Sequence, residues 1–254
     1  MLIRDLSFDN ELASAYKSES QRIRILTEDW VAWHGFCPNC GRRIEQYSNN
    51  APVADFYCPS CGEDFELKSK RDIFGTKIVD GAYNTMIKRI SSQKNPNFFF
   101  LNYADNTVEN FLVIPKHFFV DDIIEQRKPL ATTARRAGWV GCNILINKIP
   151  NNGKVFYVRD SIAIPQKHII TEYNKTKFLQ TNTSARGWLL DIMNVIEKFG
   201  KIQFSLQDVY AKESVLQDKH PDNNNVRAKI RQQLQILRDK GYLEFLGEGE
   251  YKVT

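Results

Sequence analysis

The chain has no long apolar run and little cysteine, and each shortage excludes a class of protein. No apolar stretch approaches the roughly 20 residues that a membrane-spanning helix requires. Charged residues appear within the first five positions, which is atypical of a secretory signal. The five cysteines are an odd number and make a poor disulfide framework. We therefore expect a protein of the reducing cytoplasm that binds no membrane.

The composition is that of a folded protein with a mild positive charge. Hydrophobic residues make up 42% of the 254 residues and charged residues 26%, so the chain can bury a core and is not disordered. The net charge of +5 and the isoelectric point near 8.8 are compatible with a polyanionic partner but do not identify one. The length suffices for one large domain or two ordinary ones.

The first two thirds of the chain have the pattern of a mixed α/β domain. Apolar residues recur at helical spacing over 11–33, with an interruption near 18–20, and over 80–90. Further stretches are β-branched, aromatic or alternating, as strands are: 53–57, 64–68, 97–103 and 110–115. Helices and strands that follow one another in this way predict an α/β fold with a sheet covered by helices.

The last part of the chain has the pattern of a winged helix-turn-helix domain. A polar stretch over 171–184 is the expected linker, so the predicted domains are 1–182 and 183–254. The elements predicted beyond it are three helices and a β-hairpin: 188–199, a helix capped by Ser205, 226–240 and 242–253.

Four of the cysteines form two Cys-x-x-Cys pairs, Cys37-Pro-Asn-Cys40 and Cys58-Pro-Ser-Cys61, which are 17 residues apart. This spacing is typical of a four-thiolate zinc site, so we predict a zinc-binding insertion over 37–61. Four thiolates would close the coordination shell, which makes the zinc structural. The alternative is four free, buried cysteines, which is also the state expected of Cys142.

Charged residues beside the second cysteine pair suggest a hydrolytic metal site. Asp55 lies in one predicted strand, and Glu66 and Lys68 lie in the next, where alternation directs both side chains to one face. Phosphodiester hydrolysis needs oxygen ligands for a hard cation and a positive group at the phosphate. The spacing matches the Asp-x(n)-[Asp/Glu]-x-Lys signature of PD-(D/E)XK nucleases, although Pro52 precedes Asp55 by three positions. The alternative is an exposed strand with solvated charges.

The helix predicted over 226–240 has the side chains to read DNA. Arg231, Gln232 and Gln235 lie opposite its apolar face, with Arg227 and Arg238 at the edge. Arginine and glutamine suit the guanine and adenine edges in the major groove, which makes this the candidate recognition helix. The alternative is a solvated amphipathic helix.

A second basic stretch, 126–136, contains Arg135 and Arg136 and no acidic residue. Such a stretch would neutralise phosphates if it faced DNA. Trp139 follows, and its indole could wedge against DNA and contact a methyl group, or could belong to the core.

The chain resembles the DpnI-like restriction endonucleases over nearly its whole length. The resemblance is carried, in the same order, by residues 25–30, 52–58, 65–70, 80–83, 95–101, 134–139 and 231–235. The cysteine pairs and the C-terminal domain match as well. The resemblance implies a PD-(D/E)XK catalytic domain with a mixed sheet and a four-cysteine zinc insertion, followed by a winged helix.

The resemblance also implies the reaction: magnesium-dependent cleavage of both DNA strands at N6-adenine-methylated GATC in a bacterial cell. The cut would fall between methyl-adenine and thymine and leave blunt ends. Asp55 and Glu66, with the Leu67 carbonyl, would bind Mg²⁺, and Lys68 would be the catalytic lysine. Both domains would read the methylated site, and the enzyme is expected to be a monomer.

Besides the position of Pro52, one feature departs from this pattern. The predicted wing, Gly247-Glu-Gly-Glu250, is acidic and poorly suited to phosphate contact. The alternative to an enzyme is a zinc-ribbon and winged-helix regulator, or a reader of methylated DNA, that cuts nothing. In that case Asp55, Glu66 and Lys68 would lie on an exposed strand face.

Overall fold

The computed structural model describes residues 3–48, 54–73, 75–92, 95–181 and 185–254, which form two compact units. The N-terminal unit comprises Met1–Asn147 and Asn152–Thr176, and the C-terminal unit comprises Lys148–Asn151 and Lys177–Thr254. The predicted boundary at 182/183 lies outside the described residues. Among the helices described, none is long and apolar enough to cross a bilayer.

The N-terminal unit is built on two sheets. Its described strands are β1 (Glu45–Gln46), β2 (Phe56–Tyr57), β3 (Asp64–Arg71), β4 (Ile78–Ala82), β5 (Asn97–Ala104), β6 (Thr107–Ile114), β7 (Ile124–Gln126), β8 (Gly141–Ile144), β9 (Val155–Arg159) and β10 (Ile162–Ala163). A seven-stranded mixed sheet has the order β1-β2-β3-β5-β6-β9-β10, and only its pair β3 and β5 is parallel. A small antiparallel sheet has the order β4-β8-β7.

Three α-helices accompany these sheets: α1 (Glu19–His34), α2 (Tyr83–Ile90) and α3 (Gln166–Lys175). Strand β5 is central, and its residues 97–102 are buried on both faces because helices or loops cover each side. On one face Phe99 packs against Phe111 and Tyr157, and on the other Phe98 stacks on Phe119. The predicted α/β fold with a mixed sheet is therefore confirmed.

Local details of the N-terminal unit differ from the sequence predictions. The helix predicted over 80–90 begins only at Tyr83, and Asp80 lies in β4. Of the strand predicted over 53–57, Val53 is outside the described residues and Asp55 lies at a bend before β2. Much of the predicted linker is helical, because α3 continues to Lys175 and a 3₁₀ helix spans Lys177–Gln180.

The C-terminal unit contains four described α-helices and a three-stranded sheet. They are α4 (Arg186–Glu197), β11 (Gln203–Ser205), α5 (Leu206–Tyr210), α6 (Glu213–Lys219), α7 (Val226–Asp239), β12 (Leu243–Gly247) and β13 (Glu250–Val253), with the sheet order β11-β13-β12. The predicted cap is present: Ser205 Oγ accepts from the Asp208 amide, and the Asp208 carboxylate accepts from the Ser205 amide. The sequence predicted three helices here and not four, because α5 and α6 follow each other closely and their sequence pattern predicts a single helix.

Two segments outside the predicted C-terminal domain belong to this unit through specific hydrogen bonds. The Arg186 side chain donates to the carbonyl oxygens of Leu179 and Gln180 in the 3₁₀ helix. The Asn194 amide group donates to the Lys148 carbonyl at 2.9 Å. These long-range contacts carry no local sequence signal.

Candidate functional site

Strand β3 brings the two motif residues to one face of the large sheet. Alternation buries Phe65 on one side and directs Glu66 and Lys68 to the other. Across the parallel pair, Glu66 is in register with Phe98 and Lys68 with Phe100, and both phenylalanines are fully buried. The charged side chains therefore lie next to buried phenylalanine side chains, which limits the positions that they can take.

Asp55 is fastened to the same strand by two hydrogen bonds. Its backbone amide donates to the Phe65 carbonyl at 3.0 Å, and its Oδ2 accepts from the Leu67 amide at 2.7 Å. The bend before β2 thus places the Asp55 carboxylate beside β3, although Asp55 itself is not in a strand. The structure brings the predicted Asp55, Glu66 and Lys68 together in one cleft.

Two further residues complete the charged cluster, and the sequence indicated neither of them. Asp80 Oδ1 in β4 pairs with Lys68 Nζ, which also lies 2.6 Å from Glu66 Oε1. Arg89 Nη2 in α2 lies 2.5 Å from Glu66 Oε2. Both are distant from the motif in sequence, and only the packing of β4 and α2 beside β3 shows their role.

The cleft has a volume of about 290 Å³ and is predominantly polar. Its remaining lining comes from α1 and from the chain on either side of the motif: Arg24, Thr27, Glu28, Ala54, Leu67 and Ser69. Glu28 lies with its carboxylate oxygens 2.5 Å from Arg24 Nε and 2.9 Å from Gln46 Nε2. The Glu28 carboxylate is thus a third carboxylate at the cleft, and Arg24 and Gln46 hold it in place.

The electrostatics of the cleft favour an added positive charge near Asp55. Burial raises the pKa of the Asp55 carboxyl, and the neighbouring carboxylates of Glu66 and Glu28 raise it further, against the hydrogen bond from Leu67. Burial by itself would lower the pKa of Lys68, but Glu66 and Asp80 raise it above its ordinary value. Lys68 is therefore an ammonium group at neutral pH.

The donor set fits a hard divalent cation. Asp55 and Glu66 line the same cleft and offer carboxylate oxygens, which Mg²⁺ prefers as ligands, and Leu67, which also lines it, would add its carbonyl oxygen. A cation there would relieve the crowding of negative charge that raises the pKa of Asp55.

The four predicted zinc ligands lie together in a second, separate cluster. The sulfur atoms of Cys37, Cys40, Cys58 and Cys61 are all within 4.8 Å of one another, and the two closest pairs are at 3.5 Å. A tetrahedral site with zinc–sulfur bonds of about 2.3 Å has sulfur–sulfur edges of about 3.8 Å. The cluster could therefore hold zinc.

Each cysteine pair is shaped by a glycine. Gly41 and Gly62 have φ of 75° and 70°, which an L side chain rarely adopts. Their amides donate to the carbonyls of Cys37 and Cys58 at 2.8 and 2.9 Å, closing the turn around each pair. The local sequence thus preforms both halves of the cluster.

The predicted DNA-reading side chains of α7 are exposed. Val226, Ile230, Leu234 and Leu237 are buried as predicted, whereas Arg227, Arg231, Gln232, Gln235 and Arg238 are exposed. All three arginines have protein partners: Arg231 Nη1 donates to Tyr210 Oη at 2.7 Å, Arg227 Nε lies 2.7 Å from Glu213 Oε2, and Arg238 Nη2 lies 2.8 Å from Asp239 Oδ1.

The other predicted DNA contacts lie in the loop 127–140, which joins β7 to β8. Arg135 and Arg136 are exposed there. The Arg136 guanidinium lies over the indole of Trp139, 4.6 Å from the ring centroid, and Trp139 is half-buried. Trp139 is therefore a surface residue of the loop and not part of the core.

Comparison with known families gives two matches in chain order. A family model described as DpnI, Dam-replacing family, matches residues 4–182. A second, described as the Dam-replacing HTH domain, matches residues 184–253.

Proposed function

Since the chain belongs to the DpnI, Dam-replacing, family and carries that family's helix-turn-helix domain, we propose that it is a type II restriction endonuclease acting on methylated DNA. Its substrate is double-stranded DNA with N6-methyladenine in GATC. It cuts both strands between methyl-adenine and thymine as a monomer, leaves blunt ends, and depends on Mg²⁺. Its fold is that of the PD-(D/E)XK nucleases.

The observation that carries this proposal is the grouping of Asp55, Glu66 and Lys68 in one polar cleft. Asp55 and Glu66, with the Leu67 carbonyl, would hold Mg²⁺, which supplies Lewis-acid stabilisation and an activated water when bound. The Lys68 ammonium, 2.6 Å from Glu66 Oε1, orients water or offsets the charge that builds up on the attacked phosphate. If these charges belonged only to a solvated strand face, nothing would require them to be grouped in one cleft beside buried phenylalanines.

The remaining sites serve structure and recognition in this proposal. The four-cysteine cluster holds one structural zinc per chain, since four thiolates leave no open position for chemistry. Base edges are read by the exposed face of α7, through Arg227, Arg231, Gln232 and Gln235. Arg135, Arg136 and Trp139 contact the DNA from the N-terminal unit.

A substitution at Glu66 tests the proposal. Glu66→Gln should leave binding of methylated DNA nearly intact and abolish cleavage, because a neutral amide cannot replace an anionic metal ligand. The measurement is digestion of methylated plasmid with Mg²⁺, followed on a gel. Glu172→Gln is the matched control, since it removes a carboxylate paired with Lys175 on α3, outside the cleft, and should cut normally.

Two results would contradict the proposal. Cleavage by Glu66→Gln at the wild-type rate would show that the reaction occurs elsewhere. A wild-type protein that binds methylated DNA and never cuts it would instead support the non-catalytic reader.

A further inference from the structure

The ammonium of Lys68 is shared between two carboxylates of different kinds. One belongs to Glu66, the proposed metal ligand on the same strand, and the other belongs to Asp80 on β4. The Asp80 side chain is only 6% exposed, whereas that of Lys68 is 23% exposed. Asp80 does not itself line the cleft and reaches it through its ion pair with Lys68.

The backbone of Asp80 lies in a paired strand, next to an irregularity between Asp80 and Ala82. Strand β4 pairs with β8, and Asp80 is in register with Cys142, which is fully buried. The position of this carboxylate is therefore set by the small sheet, which does not contain the motif residues. Removing the lysine partner would leave the buried Asp80 carboxylate as an uncompensated charge, so loss of either partner is unfavourable.

We propose that Asp80 is a positioning residue for Lys68, an inference that rests on the proposed nuclease function. If Glu66 were to bind a metal ion through the oxygen that pairs with Lys68, Lys68 would keep only Asp80 as a partner. Lysine is a long and flexible side chain, and without a second anchor its ammonium would move among many rotamers. Asp80 keeps the ammonium at the cleft, so that Lys68 meets the phosphate without reorganisation.

The test is the single-turnover cleavage rate of the full chain at saturating methylated duplex and Mg²⁺. Asp80→Asn should lower this rate by about 10- to 100-fold, the usual effect of removing a residue that orients a catalytic group. The Kd for the methylated duplex should stay within about twofold of wild type, since Asp80 is not one of the residues proposed to contact DNA and the charge of Lys68 is retained. Glu125→Gln is the control, because it removes the partner of Lys77 in the same small sheet and should cleave at the wild-type rate.

A double-mutant cycle separates positioning from a general structural effect. If Asp80 acts through Lys68, then Asp80→Asn should cause no further loss in the background of Lys68→Ala. The same multiplicative loss in both backgrounds would overturn the inference, as would a wild-type rate for Asp80→Asn. An inactive wild-type protein would overturn the proposed function itself.

Asp80→Glu keeps the charge and displaces it by one methylene, so its rate should lie between those of wild type and Asp80→Asn. If thermal unfolding shows that Asp80→Asn is unfolded at the assay temperature, the cleavage rate of Asp80→Glu becomes the test of the inference. A folded Asp80→Glu that cleaves more slowly than wild type supports the inference, and one that cleaves at the wild-type rate overturns it.

Discussion

At Glu66, both carboxylate oxygens have a cationic partner. Lys68 Nζ lies 2.6 Å from Oε1, and Arg89 Nη2 lies 2.5 Å from Oε2. A metal ion that uses Glu66 as a ligand must therefore displace at least one of them. Lys68 keeps Asp80 as a partner when it leaves Oε1, and a metal ion that uses Oε2 has to displace Arg89.

This competition predicts that Arg89→Ala binds divalent metal more tightly. A charge-assisted hydrogen bond contributes about 1.5–3 kcal/mol, which corresponds to a roughly ten- to hundredfold change in Kd. Calorimetric titration with Ca²⁺ in the absence of DNA measures the affinity without relying on activity.

Arg24→Ala is the matched comparison for that titration. Arg24 lines the same cleft but pairs with Glu28, which is not a proposed ligand, so the gain in affinity should be smaller. Unchanged or weaker Ca²⁺ binding by Arg89→Ala would show that Glu66 is not in the metal site.

At the scale of elements, the cysteine cluster joins segments whose described strands are short. The strand β1 within the insertion has two residues, as does β2 beside it, and such short strands add little stability by themselves. Bonds to a metal would add to the core contacts that Ile44 and Phe56 make.

We therefore expect Cys37→Ser to lose zinc and to unfold the N-terminal unit more easily. Zinc binding contributes roughly 10–16 kcal/mol in small zinc modules, so the loss should appear as a large fall in Tm. Elemental analysis should give one zinc per wild-type chain and a much lower content in Cys37→Ser. Cys142→Ala should keep its zinc, since Cys142 is outside the cluster, and an active wild-type protein without zinc would refute the site.

At the scale of the whole molecule, the C-terminal unit has its own core. Helices α4 and α7 bury Leu189, Ile192, Ile230 and Leu234 completely. Leu179, in the 3₁₀ helix that precedes α4, is also fully buried and belongs to the same unit. We therefore expect the fragment 177–254 to fold by itself; it is longer than the predicted domain and lacks only Lys148–Asn151 of the unit.

The fragment 177–254 should have a higher Tm than 183–254, because the shorter one lacks Leu179 and the carbonyls that bind Arg186. It carries none of the cleft residues, so it should bind DNA without cutting it. We expect it to prefer methylated GATC over unmethylated and scrambled duplexes, as measured by titration at moderate salt.

Within that fragment, Arg231→Ala should weaken binding of the methylated duplex by about 1–3 kcal/mol if Arg231 contacts a base. Lys252→Ala, in the terminal hairpin, is a control that removes an exposed cation from outside α7. Equal affinity of the fragment for all three duplexes would move methyl recognition entirely to the N-terminal unit.

The features that the sequence alone determined are local ones. The cysteine spacing, with a glycine after each pair, predicted the cluster because the ligands of each pair lie within one turn. The Ser205 cap and the buried face of α7 were also correct, since capping and helical periodicity depend on residues three or four positions apart. The Glu66-Leu-Lys68 alternation follows from strand geometry in the same way.

The tertiary structure alone decided which distant groups meet at the cleft. Asp80 was predicted to begin a helix, yet it lies in β4, which pairs with β8, and α2 begins only at Tyr83. Arg89, Glu28 and Asp80 come from three different elements, and no spacing in the chain records that these elements pack around β3. Long-range burial and strand pairing, which local patterns do not encode, place these charges next to Glu66 and Lys68.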